Sequence, residues 1–281
     1  MKTLNRREFL GCSAALLASA ACSVTAAAYA QSGSTLDAIR KAKVLKIGAV
    51  ADGEPNFHKD HTTGEWSGIY IDFAKRLASS MNVQLRLYET TWGNAILDLQ
   101  SAKIDLFLGL NPTPQRMAVI DFTDPLYDNA YSLIANKSFT GRTWGDLNQS
   151  GVTIAVDVGS SYDNLVTSLC PKAKILRFET SNAATLAVQT RRADVQPLVI
   201  TLAAGTIKKN PDIGKLVIPQ PVKLTSSCAG VRKEPDKAWL NYLNAWLKTM
   251  HQGDTVKNIV FSNMDRLMGV KPAEIPAIVQ F

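Results

Sequence analysis

The sequence predicts an α/β chain folded as two lobes with a cleft between them, and three observations carry that prediction. Short apolar runs alternate with segments of helical spacing between residues 44 and 110, in the order β-α-β-α-β. A second unit of the same kind begins at Val152. Apolar stretches at 131–135 and 228–231 carry the chain from one unit to the other and back, so two crossings make a hinge. The expected bounds are 31–130 with 226–281 for the first lobe and 131–225 for the second. At 281 residues, 46% hydrophobic and 20% charged, the chain has length enough for two cores.

Residues 1–30 read as a signal peptide. Asn5-Arg6-Arg7-Glu8-Phe9-Leu10 is a positive n-region similar to the twin-arginine export motif, residues 11–28 are apolar, and Ala28-Tyr29-Ala30 is a small-x-small cleavage site. A Sec leader with adjacent arginines is the alternative. Removal of the leader implies a periplasmic protein. A lipoprotein anchor at Cys22 is rejected, because Ser19 stands where a large aliphatic residue is needed. Cys12 and Cys22 leave with the leader; Cys170 and Cys228 remain, either as one disulfide or as two buried thiols. The formal charge of +7 is spread out, without a basic block or aromatic–basic interleaving, which argues against a nucleic-acid surface. His58 and His61 share a loop and His251 stands alone, so neither a metal nor a cofactor is expected.

The elements follow in order. A short helix at 36–43 leads to a strand at 44–50 and a loop at 51–56 containing Gly53 and Pro55. Phe73, Leu77 and Met81, with Ala74 and Ala78, recur at helical spacing across 69–81. Residues 83–88 alternate as a strand, and Ala95, Ile96 and Leu99 line one helix face. Ile104, Leu106, Phe107, Leu108 and Leu110 then form a buried strand of a parallel sheet. Pro112 and Pro114 remove backbone donors and predict an extended turn, with Arg116 just beyond it. In the second unit, a strand at 152–156 meets Gly159-Ser160-Ser161 at the mouth of a helix at 162–169. A strand at 175–178, a helix at 182–191 and a strand at 195–200 come next. After the return crossing, Trp239, Tyr242, Leu243 and Trp246 stripe a helix that starts at Pro235, and 255–267 is a last helix on the first lobe.

Open α/β sheets bind ligands beyond the carboxyl ends of their strands, where Arg116 falls. A guanidinium there suits a carboxylate, with Asn111 and the backbone around Gly109 completing a cradle; pairing with a local acid is the bland alternative. Ser160 and Ser161 sit where a strand–Gly–helix junction points free N–H groups at an anion, or they serve only as helix caps.

The order of these motifs resembles the polar-amino-acid family of extracellular solute-binding proteins of ABC transporters. Gly109 to Arg116 reads G-x-N-x-T-x-x-R and Asp121 to Tyr127 reads D-F-T-x-P-L-Y, close to the family's signature. TTGEWSGIYIDFAKRLA (62–78), TTWGNAILDLQSAKIDLFLGL (90–110), IAVDVGSS (154–161), RRADV (191–195) and CAGVRKEPD (228–236) extend the likeness in the family's order. The resemblance implies a two-lobe periplasmic-binding-protein fold and a monomer that delivers an amino acid or related small carboxylate to an ABC permease in the inner membrane. It implies that Arg116 takes the carboxylate, that Ser160 and Ser161 close onto it, that Trp92 packs on the ligand side chain, and that Asp157 is a lip residue touching the ligand's variable end.

One departure stands out. The family's aspartate for the α-ammonium falls five residues after the position of Asp194, where this chain has Val199, and the loop at 51–56 lacks the family's aromatic shelf. Either Asp157 or Glu54 replaces that acid, or the ligand lacks the amine. The competing classes are a secreted cyclohexadienyl dehydratase on the same fold, with Glu54, Asp157 or Glu179 as general acid, and a ligand-binding adaptor for a membrane sensor.

Overall fold

The computed structural model describes residues 34–281; the leader, with Arg6, Arg7, Cys12 and Cys22, lies outside the described residues. Ser34 caps the first helix, α1 (Thr35–Ala42), by accepting from the Asp37 amide. Strand β1 (Val44–Ala49) follows, then a small hairpin of β2 (His58–Lys59) and β3 (Trp66–Ser67). Helix α2 (Ile69–Ser80) buries Ile69, Phe73, Ala74 and Leu77, while Met81 falls at its C-cap. Strand β4 (Gln84–Glu89), helix α3 (Ala95–Gln100) and strand β5 (Phe107–Leu110) complete the first unit. β1 pairs in parallel with β4 from Val44↔Gln84 to Ala49↔Glu89, and Ile47 bridges in parallel to Leu106 beside β5. That is the parallel arrangement that helical crossovers produce.

The expected extended turn forms only as far as Thr113: residues 111–113 are irregular and Thr113 is extended, but Pro114 begins a helix. Thr113 is the N-cap of a short helix, α4 (Pro114–Val119), and accepts from the Arg116 amide. Pro114 takes the first helical position, where its missing N–H is no loss and its fixed φ suits the helix. Strand β6 (Ile120–Ala135) then runs 16 residues.

The second unit holds α5 (Trp144–Leu147), β7 (Thr153–Asp157), α6 (Ser161–Leu169), β8 (Lys174–Phe178), α7 (Ser181–Gln189) and β9 (Val195–Val199). β7 pairs in parallel with β8 and, through Ile154↔Val195, with β9. A helix absent from the sequence reading follows, α8 (Ile200–Lys209). Its β-branched start and internal Gly205 weaken the helical signal, and packing overrides them: a Cβ at Gly205 would come within 2.7 Å of Met268. β10 (Lys215–Val217) and β11 (Leu224–Arg232) lead back to α9 (Ala238–Met250) and α10 (Thr255–Met268).

β6 ties the molecule together. Its first part pairs antiparallel with β11, from Leu224↔Ala130 to Arg232↔Ile120, and its last part pairs with β9, from Tyr131↔Val199 to Ala135↔Val195. The packing changes with the partner. Tyr127 and Ala130 belong to a core with β1, α2, α9 and α10, whereas Tyr131, Leu133 and Ile134 belong to a second core with β7, α6 and α7. Cys170 is buried in the second core and Cys228 on β11, both as free thiols, so the disulfide considered from the sequence is not formed. Burial raises both thiols, Cys170 to about 11 and Cys228 to about 12. No described helix is long and apolar enough to cross a membrane.

Candidate functional site

Arg116 lies in the first turns of α4 and is 5% exposed. Its Nη1 donates to the Asn111 carbonyl at 3.1 Å, and its Nη2 donates across the cleft to the Gly159 carbonyl at 3.1 Å. Nε has no protein partner, and among the described residues the guanidinium forms no ion pair. Burial pulls its pKa below the usual arginine value, with Tyr131, Tyr162 and Asp157 offsetting part of that. A buried guanidinium held only by carbonyls lacks a counter-charge.

The cradle around it is built from both units. Asn111 donates to the Ser226 carbonyl and accepts from Ser161 Oγ at 3.0 Å. Ser160 caps α6 by accepting from the Asp163 amide, which leaves Ser161 to reach Asn111. Gly109 sits at φ +87, where a Cβ would fall 2.0 Å from the Tyr70 ring, so only glycine fits. Gly159, at φ +72, brings its backbone against Gly93: a Cβ there would lie 3.0 Å from the Gly93 Cα.

Seven of the residues read from the sequence, Trp92, Gly109, Asn111, Arg116, Ser160, Ser161 and Val199, line one cavity of about 20 Å³. That is little more than one water requires, so the two walls are closed on each other. Val199 is the N-cap of α8 and carries no side-chain acceptor for the helix's first N–H groups. Asp157 does not join the seven. It lines an adjoining chamber of about 320 Å³ with Asp52, Glu89, Trp92 and Glu179. Glu54 lines a second adjoining chamber, of about 290 Å³, which shares Trp92, Tyr162 and Leu202 with the cavity and in which Glu54 binds both His58 and Lys209.

Sequence reasoning missed the hydroxyl floor of the cavity. Tyr70 OH bonds Ser227 Oγ and Tyr127 OH, and burial raises both phenols. Ser227 faces Tyr127 across the β6–β11 ladder, a register that the sequence does not announce. Asn56 also lines the cavity, and its Oδ1 is buried without a partner. The aromatic support missing from residues 51–56 comes from the next one: Phe57 is fully buried, with ring centroids 5.2 Å from Tyr70 and 6.0 Å from Trp92.

Asp157 is the chemically unusual member of the neighbourhood. It is 3% exposed, and neither carboxylate oxygen has a protein partner. Burial pushes its pKa up to about 6; Asp52 and Asp163 add to the rise, and Arg116 offsets part of it. Among the described residues no group of His, Cys, Asp or Glu is arranged to hold a metal ion.

Residues 45–262 match the family model of the bacterial extracellular solute-binding proteins, family 3. The chain is 26% identical over 247 residues to the arginine-binding extracellular protein ArtP of Bacillus subtilis, covering 87% of this chain and 94% of that one. It is 24% identical over 227 residues to the cyclohexadienyl dehydratase of Pseudomonas aeruginosa, covering 80% of this chain and 84% of the enzyme. Among solved structures it superposes with a TM-score of 0.73 on an ancestral amino acid-binding protein, a precursor of cyclohexadienyl dehydratase, at 31% identity over 80% of this chain and 97% of that one.

Proposed function

Because the chain belongs to family 3 of the bacterial extracellular solute-binding proteins, we propose that it captures an amino acid or related small carboxylate outside the inner membrane and hands it to an ABC importer. The observation that carries this reading is Arg116: a buried guanidinium at the meeting of two walls, with a free Nε. Its fork takes the solute carboxylate in two parallel charge-assisted bonds. Asn111, the backbone at Gly109 and the α6 N-terminus at Ser160 and Ser161 supply further donors, Trp92 packs on the solute, and Val199 closes the wall. Residues 31–130 with 226–281 and residues 131–225 act as the two jaws, and the solute enters when they part. The leader with Arg6-Arg7 directs twin-arginine export to the periplasm, and the monomer docks on a permease.

A thermal-shift screen over amino acids, dicarboxylates and amines tests the reading. A specific ligand at 100 times its Kd adds about 2.7 kcal/mol to stability. Arg116→Lys is expected to weaken that ligand at least tenfold, because a point charge cannot replace the planar fork. Calorimetry showing equal affinity for the two proteins sinks the carboxylate assignment.

One observation favours a second reading, a dehydratase. Asp157, raised to about 6, has the poise of a general acid. Appearance of an aromatic product from a cyclohexadienyl acid, abolished in Asp157→Asn, would establish it. Against it, the cavity around Arg116 is lined by no acid among the described residues.

A further inference from the structure

We propose that the solute is an ω-cationic carboxylate: its carboxylate lies on Arg116 and its positive charge lies at the far end, in the chamber lined by Asp157, with no acid set aside for an α-ammonium. The proposal rests on the reading of Arg116 given above.

The Arg116 cavity is unsuited to a cation. Among the described residues no Asp or Glu lines it, and its open acceptor, Asn56 Oδ1, is neutral. Val199 occupies the wall at the uncapped N-terminus of α8, a helix of 10 residues. The first N–H groups of a helix and its positive end repel an ammonium. Arg116 itself is a second positive charge lining that cavity.

The adjoining chamber has the opposite character. Asp52, Glu89, Asp157 and Glu179 line it, and no Lys or Arg does. Glu89 is held by Lys59 and Asp52 accepts from the Asn182 amide, but both oxygens of Asp157 are buried without a partner. A carboxylate taken out of water needs a donor or a cation beside it. A metal ion is a poor fit, since the described residues form no metal-ligating group, so the occupant is an organic cation that brings its own N–H donors. The third chamber is the weaker candidate, because Lys209 lines it, its Glu54 is engaged by His58 and Lys209, and its Asp52 accepts from the Asn182 amide.

The geometry joins the two halves. Trp92 lines the Arg116 cavity and both chambers beside it, so an extended solute on Arg116 can pass along the indole into either, and the unpartnered Asp157 selects its own chamber for the cation. The indole face also attracts a cation. At about 20 Å³ the closed Arg116 cavity holds little more than one water, so the head group enters as the walls part, and about 320 Å³ is already open in the Asp157 chamber for the rest.

Titration calorimetry at pH 7.5 with a probe series tests this. The series comprises 4-guanidinobutyrate and straight-chain ω-amino acids (distal cation, no α-amine), arginine (both), citrulline (α-amine, neutral tail) and norvaline (α-amine, apolar tail). At least one probe without an α-amine is expected to bind within tenfold of arginine or better, and citrulline and norvaline at least a hundredfold more weakly. Asp157→Asn is expected to weaken the best probe at least tenfold. Citrulline or norvaline binding as tightly as the distal cations overturns the proposal, as does arginine binding when none of the probes without an α-amine does; if Arg116→Lys still weakens binding, the carboxylate reading survives. Binding unaffected by Arg116→Lys, or no carboxylate bound at all, overturns both. The probe series on the unaltered chain decides the matter even where Asp157→Asn fails to fold.

Discussion

Burial gives Asp157 a pH signature of its own. Its carboxyl titrates near 6 in the folded chain and near 4 once unfolded, so between those values the native state holds a proton that the unfolded state has released. The stabilising contribution is fully present below about pH 4 and is lost as pH rises through about 6, a difference of roughly 3 kcal/mol at most. Thermal unfolding of the ligand-free protein is therefore expected to be later at pH 5 than at pH 7, and Asp157→Asn to reduce that difference. The groups that face or perturb this carboxyl, or are perturbed by it, are Asp52, Glu89, Asp163, Glu179, Tyr162 and Arg116, and of them only Arg116 is positive. A cation held by Asp157 needs the ionised form, so affinity for an ω-cationic acid should fall toward tenfold per unit below pH 6. Calorimetry across pH 5–8 that finds a flat profile removes Asp157 from the site. Arg116 was legible in the sequence because a guanidinium follows a buried strand in a recognisable motif. The placement of Asp157 was not, since alternation along β7 gives the face of a side chain but not which of two chambers it enters. The hydroxyl floor was hidden for another reason: Tyr70 and Ser227 lie 157 residues apart in the chain.

Among the elements, α4 links sequence to site most directly. Thr113 accepts from the Arg116 amide, so the residue that starts the helix also fixes the backbone of the residue proposed to bind the carboxylate. Thr113→Ala should cost about 1 kcal/mol in denaturant unfolding. It should also weaken solute binding, whereas Ser34→Ala, which removes the cap of distant α1, should lower stability by a similar amount with affinity unchanged. Equal affinity loss in the two variants, measured by calorimetry, would reduce the cap to a stability role. The strands and amphipathic helices of both units were readable from apolar periodicity, because each buries one face against a core. The exceptions have physical causes. Pro112 and Pro114 read as a break when considered alone, yet Thr113 converts Pro114 into a helix start. α8 was missed because its buried residues are Ile200, Thr201, Ala203 and Gly205, a small and β-branched set whose helicity is set by packing on α10.

At the scale of the whole molecule, closure depends on backbones meeting. Arg116 reaches the Gly159 carbonyl, Ser161 reaches Asn111, and Gly93 abuts Gly159. Gly159→Ala adds a Cβ 3.0 Å from the Gly93 Cα at a backbone with φ +72, so it should hold the jaws apart. The expected outcome is an affinity at least tenfold weaker, with no ligand-induced compaction in small-angle scattering; compaction equal to that of the unaltered chain would show that the contact is dispensable. The two-unit architecture was legible because the β-α-β pattern restarts after a crossing. The depth of the cleft was not, because it depends on how two separately folded cores are set against each other. That setting is the work of β6, one strand of 16 residues paired with β11 on its first part and with β9 on its last. Two separate chains carrying the same half-sites would have to find each other by diffusion. Joined by a hydrogen-bonded ribbon, Ser160 and Ser161 would, on the binding role proposed above, meet a solute on Arg116 as an intramolecular partner, at an effective concentration set by the stiffness of that ribbon. On that proposed role, part of the solute's affinity is thus written in the length and pairing of β6, over and above what its Tyr127 and Asn129 supply to the cavity wall.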